Sequence, residues 1–233
     1  MTAGGRRATL SIVVPVLDEA AGIAAALAAL APCRQRGAEV IVADGGSSDG
    51  TAALARPHAD RVIAAPRGRA AQMNAGAAAA TGDVLLFLHA DTQLPDDADR
   101  SILDGLAQSG RAWGRFDVRI DGGGVLPAIA AMMNVRSRLT GIATGDQAMF
   151  VTRDAFARAG GFPAIALMED IALSAALKRI SPPLALRARV TTSGRRWQRN
   201  GTLRTVLLMW RLRLAYYFGA DPDTLARAYR HAR

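Results

Sequence analysis

Leu10–Val16 reads LSIVVPV and Glu39–Ala43 reads EVIVA, two short continuous runs made largely of β-branched residues. A strand with one wet face alternates apolar and polar side chains. A strand buried on both faces need not, and such strands belong to parallel sheets covered by helices on either side. Between the two runs Ala20–Leu30 is alanine-rich, with Asp18 and Glu19 just ahead of it, and reads as a helix. The pattern then repeats. Thr51–Ala55 opens a short helix, Arg61–Ala64 is a brief third strand, Arg67–Ala80 is a loop entering a helix, and Asp83–Leu88 (DVLLFL) is a fourth buried strand. Strand and helix alternate in units of about 30 residues, which predicts a Rossmann-like α/β fold: a mostly parallel central sheet flanked by helices.

Ligands of such sheets bind outside the carboxyl ends of the strands. Two polar clusters fall there, Asp44–Asp49 and His89–Thr92. The second half is less regular. Strands are expected at Ala112–Ile120, Ala148–Thr152 and Ala185–Thr191, and helices at Pro127–Arg138, Arg153–Ala159, Met168–Lys178 and Leu203–Phe218, the last followed by a polar tail. The 233 residues carry no repeat and no dividing linker, so a single domain over 1–233 is expected.

The net charge of +9 is almost wholly arginine, Lys178 being the one lysine. Charge alone suits nucleic acid, an anionic membrane surface or a small polyanion such as a nucleoside diphosphate; genomic base composition is the bland explanation. Aromatics make up 5% of the chain and the arginines are scattered, which argues against a nucleic-acid surface. One cysteine, Cys33, excludes an internal disulfide and suits a reducing compartment. The apolar run near the N-terminus is cut by Asp18 and Glu19 too soon for a signal peptide. Leu203–Phe218, the longest apolar stretch, is broken by Arg204, Arg211 and Arg213. A cytoplasmic location is expected, with peripheral contact on the inner face of the membrane as an open addition.

PVLDEA, VADGGSSDGT, RGRAAQMNAG, FLHADT, GDQAMFV and MEDIALS, in this order and spacing, resemble the family 2 glycosyltransferases, and most of all the small bacterial branch of radical-SAM and selenodomain-associated transferases. The resemblance covers Leu10 to Trp197, more loosely to Tyr229. It implies a GT-A fold with a helical C-terminal extension. Residues about 8–110 would form the nucleotide-sugar half, about 111–200 the acceptor half and about 201–233 the extension. The implied activity is inverting transfer of a sugar from a nucleotide-sugar donor, a UDP-sugar by the family's pattern, to a hydroxyl acceptor. The implied cofactor is Mn²⁺ or Mg²⁺.

By the same resemblance, Pro15, Glu19, Asp44, Arg67, Arg69, His89 and Ala90 are the nucleotide contacts. Asp44 stands where the family accepts the uracil imide N–H, a role a carboxylate fills while ionised. Asp18 replaces the usual asparagine before Glu19. Asp49 fits a helix cap at least as well as a contact. Arg67 and Arg69 precede a helix start in a glycine-containing loop and suit a phosphate; for Arg67 a solvated surface position is the alternative. His89-Ala90-Asp91 occupies the slot of the aspartate-x-aspartate metal motif. Residues 89 and 91 point the same way along a strand. Asp91 is thus the expected metal ligand and His89 a second ligand, a hydrogen-bond donor to the substrate, or a satisfied strand-end histidine.

Glu169-Asp170 matches the family's catalytic acids, Asp170 as the base that deprotonates the acceptor and Glu169 in support; capping of the following helix is the alternative. Gly145, Asp146 and Gln147 match the stretch lining the acceptor side, and Arg196 and Trp197 a degenerate basic-aromatic motif. Trp113 and Trp210 are assigned to packing. Leu203–Phe218 reads either as an interfacial helix that reaches a lipid-linked acceptor or as a core helix whose arginines snorkel. Two other readings compete: a nucleotidyltransferase, which would carry a glycine-rich loop after its first strand, and a non-catalytic basic binder of nucleotide or membrane, which leaves Asp91 and Asp170 without purpose.

Overall fold

The computed structural model describes residues 8–194 and 202–231. Its first half runs β1 (Leu10–Val16), α1 (Ile23–Ala28), α2 (Ala31–Gln35), β2 (Glu39–Asp44), α3 (Thr51–Ala55), β3 (Arg61–Ala64), α4 (Arg69–Ala79) and β4 (Val84–Phe87). β1 lies between β2 and β4, parallel to both, and β3 extends the sheet beyond β2, also parallel. All of β1 but Pro15 is buried, and so is all of β4, as expected of strands with no wet face. The helix expected at Ala20–Leu30 is shorter, Ile23–Ala28, and a second one, Ala31–Gln35, follows it. Pro32 stands in the first turn of α2, where its missing N–H is not needed and its fixed φ favours a new start.

The α4 helix lies unusually close to the sheet. A Cβ at Gly76 would sit 2.2 Å from Val13 Cγ1, so only glycine permits this approach. One turn earlier, buried Gln72 donates through Nε2 to the carbonyls of Val16 (2.6 Å) and Ala43 (2.9 Å). It clamps the ends of β1 and β2 at the rim where the chain leaves the sheet.

The second half runs β5 (Thr92–Gln93), α5 (Ala98–Ser109), β6 (Trp113–Ile120), α6 (Leu126–Thr140), β7 (Phe150–Thr152), α7 (Arg153–Arg158), α8 (Glu169–Lys178), β8 (Leu184–Thr192), α9 (Thr202–Tyr217) and α10 (Pro222–His231). The whole sheet has the order β3-β2-β1-β4-β7-β6-β8-β5. β7 is antiparallel to both β4 and β6 and joins the two halves; β8 is parallel to β6, and β5 antiparallel to β8. The α/β class and the mostly parallel first half agree with expectation; the antiparallel seam is new.

The polar tail is a helix. Asp221 accepts from the N–H and hydroxyl of Thr224 at the start of α10, and Leu225 packs with Met168 and Leu212 of the neighbouring elements. Trp113 is fully buried, its indole donating to the carbonyl of Ser181. Trp210, assigned to packing, is 55% exposed, on an α9 face that also shows Leu207, Leu214 and Tyr217 to solvent. Among the described residues no helix is long and apolar enough to cross a membrane.

Candidate active site

The ladder between β1 and β4 starts at Leu10–Val84 and ends at Val13–Phe87. Past that point the strands part, and Pro15 falls in the stretch with no β4 partner to miss its N–H. Strand order also reverses here, because the chain leaves β3 at one edge and returns on the far side of β1. A cleft of about 810 Å³ opens at this switch point. Pro15, Glu19, Arg67, Arg69, His89, Ala90 and Asp91 line it, with the segment 164–166 opposite.

Asp44 pairs in register with Val16, a residue that lines the cleft, but is not itself in the lining. Its carboxylate accepts from the Ser47 N–H (3.2 and 3.3 Å) and from the Ser47 hydroxyl, closing the turn after β2. That turn is laced to the loop after β1. Asp18, in the left-handed region at φ 53, accepts from the N–H of Ser48 at 2.8 Å. Ser47 Oγ accepts from the N–H of Asp18, and Asp49 accepts from those of Ala20 and Thr51. Asp49 therefore anchors the start of α3, the capping role weighed above. Its bonds from the Thr51 hydroxyl and from those N–H groups hold its carboxyl below the usual range.

A second cavity, of about 220 Å³, meets the cleft across Arg69 and His89. Gly145, Asp146, Glu169 and Asp170 line it on one side, and Met209, Arg213 and Tyr229, from α9 and α10, on the other. Asp170 is held twice: Oδ2 accepts from the Gly145 N–H and Oδ1 from the Ile171 N–H, both at 2.7 Å. The carboxylate is thus aimed by the loop before β7 as well as by its own helix. Met168, the residue before α8, sits at φ 71, a left-handed conformation that costs a non-glycine residue about 1–2 kcal/mol. Its packing against Leu212 and Leu225 holds it there and sets the direction in which α8 starts.

Glu169 is 3% exposed, with Arg69 Nη1 at 3.4 Å from its Oε1. Burial first, and the neighbouring Asp170 second, push its carboxyl upward; Arg69 opposes them without prevailing. Arg69 itself is pushed upward. Desolvation in the concave wall disfavours its charge, but Glu169, Asp170 and Asp146 together outweigh that. The two shifts are consistent, since the cation faces three carboxylates while Glu169 has a like charge beside it. Although crowded by the wall, Arg69 keeps 44% of its side-chain surface open, enough to meet a ligand.

His89 Nδ1 lies 3.6 Å from Asp146 Oδ1, and the imidazole presses on Gly145, where a Cβ would come within 2.4 Å of Cε1. Gln147 is fully buried behind the cavity: its Nε2 donates to Asn134 Oδ1 at 3.5 Å and its Oε1 accepts from the Thr144 N–H at 3.3 Å. Arg196 and Trp197 lie outside the described residues. Arg213, on a helix that reads either as interfacial or as a core helix with snorkelling arginines, and Tyr229, in the polar tail, line the cavity without being singled out by the sequence pattern. An arginine on an otherwise apolar helix was the available signal.

Among the described residues no group of three or more histidine, cysteine or acidic side chains converges on a metal position. Asp91 nonetheless stands exposed at the cleft with His89 nearby. A divalent ion that completes its shell with substrate phosphates needs only one or two protein ligands, and this donor set fits that mode.

No curated protein matches this chain. Solved structures do. TarS 1-349 of S. aureus superposes with a TM-score of 0.66 at 16% identity, covering 80% of this chain and 60% of that one. The mannosyltransferase PcManGT of Pyrobaculum calidifontis, in complex with GDP-Man and Mn²⁺, gives 0.63 at 20%, covering 97% and 70%. Glucosyl-3-phosphoglycerate synthase of Mycobacterium tuberculosis, in complex with Mn²⁺, UDP and phosphoglyceric acid, gives 0.56 at 18%, covering 79% and 69%. At these identities the likeness is one of fold, the GT-A fold, and the chain spans about 60% of the TarS fragment's length. The sequence pattern of "Glycosyl transferase family 2" matches residues 11–159, more than half of the chain, and displaces the nucleotidyltransferase alternative. The chain belongs to glycosyl transferase family 2.

Proposed function

We propose that this transferase is inverting and metal-assisted, and that it moves a sugar from a UDP-sugar to a hydroxyl acceptor within a single domain. Residues about 8–110 take the donor, about 111–200 the acceptor, and about 201–233 close the acceptor side. The observation that carries this reading is the placement of Asp170 on the wall of a cavity that meets the larger cleft across Arg69 and His89. A donor in the cleft and an acceptor in the cavity meet beside one oriented carboxylate.

The acceptor oxygen attacks the anomeric carbon as the bond from that carbon to the diphosphate breaks, and Asp170 takes the hydroxyl proton. Glu169 and Arg69 brace the junction. Pro15, Glu19, Asp44, His89 and Ala90 hold the nucleoside end and the sugar, and Arg67 and Arg69 the phosphates. Gly145, Asp146, Gln147, Arg196 and Trp197 shape the acceptor side. A Mn²⁺ or Mg²⁺ held by Asp91, with His89 beside it, would neutralise the leaving diphosphate. Comparable ligands appear among the structural relatives: UDP-GlcNAc with TarS, GDP-Man and Mn²⁺ with PcManGT, and UDP with Mn²⁺ or Mg²⁺ with the synthase. The solvent-facing apolar stripe of α9 supports peripheral membrane contact, for which vesicle co-sedimentation is the direct measurement.

Thermal-shift titration with UDP and GDP, with and without Mn²⁺, tests the donor site without knowledge of the acceptor. UDP with Mn²⁺ is expected to raise the melting temperature, and Asp91→Ala to weaken that binding at least about tenfold. A GDP-only response would move the donor class, and no response to either nucleotide would sink the reading.

A further inference from the structure

Two arginines on the acceptor side have buried polar atoms that meet nothing. Nε and Nη2 of Arg136, on α6, and Nε of Arg213, on α9, have no hydrogen-bond partner among the described residues. An arginine cannot shed its proton to escape such a position, and a buried unpartnered guanidinium is costly. No carboxylate among the described residues, Asp117, Asp146 and Asp170 included, hydrogen-bonds those three atoms. Asp117 is shared by Arg115 and Arg138, the latter at 2.6 Å. Asp170 already accepts from Gly145 and Ile171. The two cations also repel: burial first, and Arg213 next, pull Arg136 down to about 10, with Asp170 partly compensating. Arg213 lines the Asp170 cavity and also a pocket between α6 and α9, walled by Met132, Met133 and Trp210 and reaching Asp91; Arg136 stands one turn beyond Met132 on the same face of α6. It is absent from the lining of the donor cleft.

We propose that Arg136 and Arg213 form an anion subsite that reads a phosphate group on the acceptor, beside the hydroxyl that Asp170 deprotonates. This rests on the assignment of that cavity to the acceptor. A phosphate carries about −1.5 to −2 charges near neutral pH, which matches two guanidiniums, whereas a carboxylate matches one. Guanidinium forks also suit its oxygens in bidentate geometry. The group can come from a soluble phosphomonoester or from a lipid phosphate whose chain follows that pocket toward the exposed face of α9.

The test is a thermal-shift titration with inorganic phosphate, run with and without saturating UDP and Mn²⁺, on the wild type, Arg136→Met and Arg213→Met. Phosphate is expected to stabilise the wild type even when the donor site is filled, and to bind each variant at least about tenfold more weakly. Without phosphate the variants should melt no lower than the wild type, because an unpartnered buried charge has gone; a merely structural arginine would lower the melting temperature. If either methionine variant does not fold, Arg213→Lys, which keeps the charge and loses the fork, is expected to show the same weakening. Equal phosphate binding in all variants overturns the proposal. So does loss of the nucleotide response together with the phosphate response, which would assign the arginines to the donor. A phosphate response that depends on these arginines, without any nucleotide response, keeps the subsite and removes the donor reading instead. Glycerol 3-phosphate compared with phosphatidylcholine vesicles, with and without a phosphatidylinositol monophosphate, whose headgroup carries both a phosphomonoester and free hydroxyls, then separates the soluble source from the lipid one.

Discussion

The two halves of the sheet handle their polar groups in opposite ways. Around the donor cleft, the loops after β1 and β2 bind one another through Asp18, Ser47, Asp49 and Thr51, and Gln72 caps two strand ends. Around the acceptor cavity, Glu169 is buried with its carboxyl pushed upward, Arg136 and Arg213 have unpartnered atoms, and Met168 and Ala148 hold left-handed backbone with apolar side chains, whereas the one such residue of the donor half, Asp18, is secured by its bonds to the β2 turn. The first half is settled in itself, whereas the second carries unfavourable terms that a ligand would relieve. Such terms concentrate where a protein is organised for binding or reaction. Substitutions in the donor half should therefore act mainly on stability, and those in the acceptor half mainly on turnover.

The largest expected effect is that of Asp170→Asn, a loss of about 10²–10⁴-fold in turnover with the nucleotide-induced thermal shift retained. Undiminished turnover would remove Asp170 as the base and break the contrast at its centre. Gly145→Ala comes next. Its Cβ would displace the His89 ring and disturb the N–H that aims Asp170, costing about 100-fold in turnover, read in the same assay, and about 1–3 kcal/mol of stability. On the donor side, Gln72→Leu takes the side-chain donor from the carbonyls of Val16 and Ala43, leaves the first with the Gly45 N–H, and should lower stability by about 1–3 kcal/mol in denaturant unfolding. The residual folded enzyme should turn over near the wild-type rate; a large loss would show that the donor half is less settled than its hydrogen bonds suggest.

The smallest effect is one of pH. Unfolded, Glu169 releases its proton near 4.5; folded, it holds it to higher pH. Between those two values the folded state binds more protons than the unfolded chain, so this group's contribution falls as pH rises through the window and is flat above it. Glu169→Gln should remove that slope and melt above the wild type at neutral pH, by no more than about 2–4 °C.

The uneven legibility of the sequence follows the same division. β1, β2 and β4 were readable because burial on both faces leaves unbroken β-branched runs, and their ends located Pro15, Arg69, His89 and Asp91 at one cleft. Glu169 and Asp170 were found through the family pattern alone, since acids in a first helical turn are equally at home as dipole partners. β7 falls within the strand expected at Ala148–Thr152, but nothing in so short a strand tells which way it runs, so its antiparallel pairing was not legible. Arg136 and Arg213 escaped notice because nothing local distinguishes a solvated arginine from one whose partners fail to arrive through the tertiary fold. Likewise the orientation of Asp44 onto Ser47 depends on a turn geometry that composition does not specify.

The seam at β7 also bears on the order in which a growing chain can fold. β1, β2, β3 and β4 pair with one another as they emerge, all drawn from the first part of the chain. β4 keeps a bare edge until Phe150–Thr152 arrives to cover it, and β6, made in between, has no route onto the sheet without that same short strand. An uncovered, wholly apolar edge invites pairing with another chain. A nascent or truncated polypeptide ending before Phe150 is thus the form of this protein most exposed to aggregation, and three residues act as the closing stitch for the rest.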